Sequence, residues 1–209
     1  MYDAGIAGMF LLAFIIGLTG ALAPGPMLVA TITASIRDGW RVGPRIVVGH
    51  MAIEAIFVLF ILVGLADYIT PHSTIIAFAG GISLVFFGAI TLRAAQTASL
   101  IVSGEEVYVS PYLAGFITSV SNPYFWLWWL TIGAGFLLDG VQGGLLVVIA
   151  FLAGHWLADL GWFTFISVGI GRSRTIISER VYRGVIGACG VMLVLFGLYY
   201  IVSFIPALG

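Results

Sequence analysis

Charge is what this sequence has least of. Its 209 residues carry eight arginines, nine acids and no lysine, and charged side chains make up 8% of the chain, against about 25% in an ordinary soluble domain. With 61% hydrophobic residues and a mean hydropathy of +1.17, a water-soluble surface is excluded and the chain reads as an all-α integral membrane protein. A formal net charge of -1 leaves no basic surface for nucleic acid, and no Gly-rich phosphate loop follows a strand-like segment. The single cysteine, Cys189, excludes an internal disulfide and a two-cysteine metal or redox site, so it reads as a packing residue. No cofactor motif is present, and no serine has a paired base in a recognisable arrangement, so the residues offer no enzyme chemistry.

Apolar stretches, by contrast, recur along the whole length. A helix needs about 20 residues to span a bilayer, and segments at about 5–36, 43–66, 74–95, 112–138, 141–171 and 181–204 make six spans in a single transmembrane domain, 1–209. Ala21-Leu22-Ala23 imitates a signal-peptide cleavage site, but Met1-Tyr2-Asp3-Ala4-Gly5 places an acid where a signal needs positive charge. The first stretch is therefore expected to be a mature helix. The connections hold Arg37 to Arg45, the stretch 67–72, the stretch 99–111 with Glu105 and Glu106, Asp139-Gly140, and the run 172–183. Arg37, Arg41, Arg45, Arg93, Arg172, Arg174, Arg180 and Arg183 all fall in or at the ends of the first, third and fifth connections. The positive-inside rule puts those three in the cytoplasm and both termini outside a multi-pass cell-membrane protein.

The two halves repeat each other. Gly49-His50-Met51-Ala52-Ile53-Glu54 returns as Gly154-His155-Trp156-Leu157-Ala158-Asp159, with the same spacing of glycine, histidine and acid. Gly81-Ile82-Ser83-Leu84-Val85-Phe86-Phe87-Gly88 matches Gly190-Val191-Met192-Leu193-Val194-Leu195-Phe196-Gly197 at five of eight positions. A three-span unit enters the membrane from opposite sides in its two copies, so the expected architecture is two inverted-topology repeats, about 5–95 and 112–204, joined by a cytoplasmic linker at about 96–111. The glycines seven apart in the third and sixth spans suit close helix packing.

Each repeat also interrupts its first helix near mid-membrane. Ala23-Pro24-Gly25-Pro26 breaks span one and Ser121-Asn122-Pro123-Tyr124 breaks span four, because proline removes an amide donor and clashes with the preceding turn. Such backbone is tolerated at depth only beside protein or a water-filled cavity. The half-helix after each break presents free amides and a positive dipole end to a carboxylate. Pro24, Gly25, Pro26, Asn122 and Pro123 are the candidate substrate-binding residues, although Asn122 also suits a plain cap.

His50 and Glu54, like His155 and Asp159, are four residues apart and share one helical face. An ionised carboxylate at membrane depth is expensive unless paired or hydrated. One reading makes the four side chains a proton- or ammonium-handling set tuned by the histidines; another makes them ligands of a divalent cation in transit. A third takes each pair as a local structural tie.

Taken in order, Ala23-Pro24-Gly25-Pro26, then Arg37-Asp38-Gly39-Trp40-Arg41-Val42-Gly43 leading to Gly49, then Gly115-Phe116 followed by Asn122-Pro123, the chain resembles the LysE-type family of amino-acid exporters. The resemblance implies a small six-helix carrier of amino acids or similar metabolites, driven by a cation or proton gradient. Family members commonly have lysine after the Asn-Pro; here it is Tyr124. Relatives in the wider superfamily move divalent metals, and others pass electrons through paired cysteines, which the lone Cys189 argues against. The expectation is a secondary active exporter of a small zwitterion, with no cofactor, its partners being the bilayer and the small-molecule substrate, and with room for a homo-oligomer. A divalent-metal exporter and a structural membrane subunit are the alternatives.

Overall fold

The computed structural model describes residues 5–23, 25–65, 73–97, 109–172 and 178–204, and among them helices carry all the regular secondary structure. Pro24, the second connection at 67–72, Glu105, Glu106 and Arg174 lie outside those residues. The first apolar stretch is two helices, α1 (Gly5–Ala21) and α2 (Pro26–Asp38), whose axes differ by 78°. Helix α1 ends as the amides of Leu22 and Ala23 close onto the carbonyls of Leu18 and Gly20. Gly25 then runs extended, and Pro26 opens α2, in the first turn where a missing N–H leaves no intrahelical bond unmade.

Helix α3 (Val42–Phe60) carries His50 and Glu54 and relaxes into a π-helical turn, Ile61–Leu65, in which Gly64 takes φ 91°. Helix α4 (Ser73–Thr97) completes the first half. In the second half α5 (Pro111–Val120) starts at Ser110, whose hydroxyl accepts from the Leu113 amide. It stops at Ser121-Asn122, where the Asn-Pro pair foretells a break. Helix α6 (Pro123–Trp128) follows, then a π-helical turn, Trp129–Gly133, and α7 (Ala134–Gly143).

Two expectations are corrected here. The fourth apolar stretch is divided at the π-turn as well as at Asn122, and Asp139-Gly140 lies inside α7 rather than in a connection. The true stop is Gly144, at φ 95°, a backbone conformation that glycine reaches without a Cβ penalty. Helix α8 (Leu145–Arg172), which carries His155 and Asp159, and α9 (Glu179–Phe204) finish the chain. Four segments, Val42–Gly64, Phe78–Thr97, Leu145–Gly171 and Glu179–Val202, are long and apolar enough to cross a bilayer, and the bent α1–α2 pair makes a fifth if it crosses as one.

Packing between the halves follows from glycine. Helix α1 lies along α8, α5 lies along α3, and α4 pairs with α9. At Gly154 an added Cβ would strike the carbonyl of Phe10, and at Gly49 one would strike the carbonyl of Tyr112. The first residue of each hexapeptide thus lets a helix of the other half come within backbone contact. Gly81 meets Gly197 and Gly88 meets Gly190 across α4 and α9, which is what the seven-residue spacing serves. Two apolar clusters bracket α3 and α8: one holds Ile53, Phe57, Phe125, Trp128, Trp129 and Phe151, the other Met27, Ile46, Val47, Phe163 and the free, fully buried Cys189. His50, Glu54, His155 and Asp159 occupy the layer between them.

Gly49→Ala and Gly154→Ala should each lower stability by about 1–3 kcal/mol, the usual range for overpacking. Gly161→Ala, whose Cβ would meet nothing within 4 Å, should not; thermal unfolding in detergent reads all three.

Candidate functional site

Glu54 is the centre of the polar layer and is 1% exposed. Its Oε1 lies 3.0 Å from Nε2 of His50 on the same helix and 2.9 Å from Nε2 of His155 on α8. The indole of Trp129 donates to the same oxygen at 3.0 Å, and that of Trp156 donates to Oε2 at 2.9 Å. Burying a carboxylate is tolerable only when donors replace its water, and here four ring nitrogens do so. Asp159, 3% exposed, differs: its Oδ2 is 3.5 Å from Nε2 of His155 and 3.7 Å from Nε2 of His50, and it takes no hydrogen bond.

The second ring nitrogens are also placed. Nδ1 of His50 is 2.6 Å from the hydroxyl of Ser119 on α5, and that hydroxyl donates to the carbonyl of Gly115 at 2.6 Å. A hydroxyl has one proton, so with it given to Gly115, His50 is the donor at Nδ1, and it donates at Nε2 to Glu54 as well only as an imidazolium. His155 stacks on Trp128, with ring centroids 4.6 Å apart, and its Nδ1 faces Gly17 of α1, where an added Cβ would come within 2.9 Å.

A narrow cavity of about 70 Å³ adjoins this cluster, lined by His50, Glu54, His155 and Asp159 and by residues of both helix breaks, Ala23, Gly25 and Asn122. At about 10–15 Å³ for each water-sized position it holds roughly five. The breaks face each other: Nδ2 of Asn122 is 3.5 Å from where a Cβ on Gly25 would sit. Asn122 caps α6, its Oδ1 accepting from the Tyr124 amide at 3.1 Å, which turns the Nδ2 donor outward. Of the five break residues read from the sequence, Gly25 and Asn122 line the cavity. Pro26 opens α2 without lining it, Pro123 lines a separate groove between α4 and α6, and Pro24 lies outside the described residues.

Ser119, Trp129 and Trp156 belong to the site and escaped the sequence reading. Trp156 stands inside the second hexapeptide, beside His155, and Trp129 ends the aromatic run Tyr124-Phe125-Trp126-Leu127-Trp128-Trp129 that follows the second break. Trp126 of that run instead donates to the Val120 carbonyl freed by the break, at 2.7 Å.

His50, Glu54 and Asp159 offer ligand atoms within 4.8 Å of one another, so a cation site is a fair question. Ligand atoms around tetrahedral zinc stand about 3.3 Å apart, given bonds of about 2.0–2.1 Å. Here both imidazole Nε2 atoms lie within 3.0 Å of one carboxylate oxygen, and indole N–H groups occupy both oxygens of Glu54. A cation bound here would displace those hydrogen bonds.

The family model described as "LysE type translocator" matches residues 18–203. The chain belongs to that family. Among curated relatives it is similar to the "Putative amino acid efflux protein YcgF" of Bacillus subtilis (strain 168), 26% identical over 197 residues that cover 92% of this chain and 94% of the relative. No solved structure gives a significant match. Membership of the LysE type translocators, together with the apolar helices, makes this a multi-pass cell-membrane protein that moves a small molecule. The family's activity is translocation, not catalysis.

Ser119→Ala removes the partner of a buried ring nitrogen, a loss of about 1–3 kcal/mol. The melting temperature in detergent should fall accordingly, and an unchanged value would refute the His50–Ser119 contact.

Proposed function

We propose that this translocator is a secondary active exporter of amino acids or similar small zwitterionic metabolites, coupled to a proton or cation gradient. The observation that carries the reading is the cavity bounded jointly by two helix breaks and by the His-acid cluster. One side can receive an anion, the other a cation, and the ends of a zwitterion are just such a pair. In this reading the substrate carboxylate lies at the amides of Met27 and Leu28, which open α2 and have no intrahelical acceptor, and at Nδ2 of Asn122. The ammonium group, or the coupling proton, goes to the carboxylates. The relative named for amino acid efflux supports the substrate class.

The proposal includes six spans in two inverted repeats, with the termini outside and the arginine-rich connections in the cytoplasm. The swapped packing supports it: α1 rests on α8 as α5 rests on α3, each through the glycine of a hexapeptide, and α4 pairs with α9 across the pseudo-twofold. Alternating access then comes from one repeat rocking against the other around the central cavity.

Asn122→Asp separates binding from folding, because aspartate caps a helix as well as asparagine does but presents an anion where the substrate carboxylate would lie. Proteoliposomes bearing the wild-type protein should show amino-acid counterflow, and Asn122→Asp should abolish it without loss of thermal stability. Absence of counterflow with every proteinogenic amino acid, or zinc or manganese flux in its place, overturns the reading.

A further inference from the structure

The two acids match in sequence but not in surroundings. Oε1 of Glu54 is approached by three ring nitrogens, from His50, His155 and Trp129, and Oε2 by the Trp156 indole. Each of these contacts favours the carboxylate, and a proton on Glu54 would face N–H groups on both oxygens. Oδ2 of Asp159 is buried and accepts no hydrogen bond, with the two imidazole Nε2 atoms at 3.5 and 3.7 Å. Three donors on one oxygen exceed its two lone pairs. One imidazole N–H is therefore incompletely bonded, and the next acceptor within reach is Oδ2 of Asp159.

The inequality is written into the repeat. The residue after His155 is Trp156, which donates across to Glu54; the residue after His50 is Met51, whose thioether has no N–H to give. On its own helix Asp159 faces His155, and from α3 it faces His50 and Glu54, with Arg45 in the first turn of α3; Tyr124 of α6 lines the same cavity. Among the described residues α1 has no ionisable side chain, and Arg37 and Asp38 of α2 and Asp139 of α7 are exposed at or near helix ends.

From this geometry we infer that the two matched acids do unequal work: Asp159 takes up and releases the coupling proton, exchanging it with the histidine pair, while Glu54 remains ionised and holds the pair in place. The imidazole with protons on both nitrogens is His50, whose Nδ1–H goes to Ser119 and whose Nε2 faces Glu54, so the proton leaves Nε2 of His50 for Oδ2 of Asp159. The N–H bond breaks with its electron pair staying on nitrogen, an O–H bond forms, and imidazolium and carboxylate both become neutral. Closing the 3.7 Å gap from His50 on α3 to Asp159 on α8 to a charge-assisted bond takes a shift of about 0.9 Å, a movement between two helices that rock. Oδ2 has no open surface for an ammonium group to touch, which is why the proton and not the substrate amine is assigned to it. The inference rests on the exporter reading for its purpose but not for its chemistry.

Infrared difference spectroscopy of the full chain in detergent, stepped between mildly acidic and mildly alkaline pH where exposed carboxyls stay ionised, tests it directly. The wild type should show a titrating protonated-carboxyl stretch that is lost in Asp159→Asn and kept in Glu54→Gln. If Glu54→Gln fails to fold, Trp156→Phe takes its place: stripping one donor from Glu54 should leave the Asp159 band intact and add a second. No carboxyl band in the wild type, or a band that survives Asp159→Asn, overturns the inference. In proteoliposomes the acceleration of amino-acid flux by an imposed pH gradient should likewise be lost in Asp159→Asn. Wild-type protein without amino-acid flux but with the Asp159 band refutes the exporter and leaves this assignment standing; working flux with a band belonging to Glu54 refutes only the assignment.

Discussion

The contact between Nε2 of His155 and Oε1 of Glu54, 2.9 Å long and fully buried, is the constraint on which the rest depends. A carboxylate placed in the apolar middle of a membrane protein is unstable by several kcal/mol unless donors surround it. Glu54 cannot find them on α3 alone, where His50 is its one polar neighbour. It must draw them from α8 and from the turn that follows α6, and this forces α3, α6 and α8 together. The close approach needs bare backbone, which Gly49 and Gly154 supply, and the cavity is what remains between these helices where the prolines have opened α1 and α5.

Function then follows from placement more than from any single residue. The break before α2 leaves amide donors beside the cavity that the acids also line, an arrangement that fits the opposite charges of the proposed zwitterionic substrate. The apolar clusters on either side of that layer, built around Phe57 and Phe151 on one flank and Ile46 and Phe163 on the other, separate it from both ends of the helices. The proposed alternating access needs such a barrier at any instant, and these side chains sit on the helices that would have to move.

Much of this was legible in the residues. Proline and glycine announced where α2 and α6 begin, four-residue spacing put each histidine and acid on one face, and the seven-residue glycine spacing marked the α4–α9 seam. The remainder depended on contacts between distant parts of the chain. Trp129 reaches Glu54 from 75 residues away and His155 from 101, and no local pattern encodes such a distance. The π-turn at Trp129–Gly133 was likewise invisible, since its composition suits an α-helix equally well. Gly144 lost to Asp139-Gly140 as the expected turn because a charged residue marks a surface but not a chain reversal, and Asp139 is simply exposed on α7. The difference between Trp156 and Met51 was on the page from the beginning. It gained meaning only once the indole was seen to cross to the opposite acid.

The most direct test of the account is a double-mutant cycle between Glu54 and His155, read by unfolding in detergent. Residues that share a buried charged contact couple, whereas independent sites add to within about 0.5 kcal/mol. Glu54→Gln and His155→Asn should each destabilise the protein, and the double variant should be little worse than the poorer single one, giving a coupling energy above about 1 kcal/mol. Losses that simply add would mean that the two halves are not joined through this carboxylate, and the account built on it would not stand.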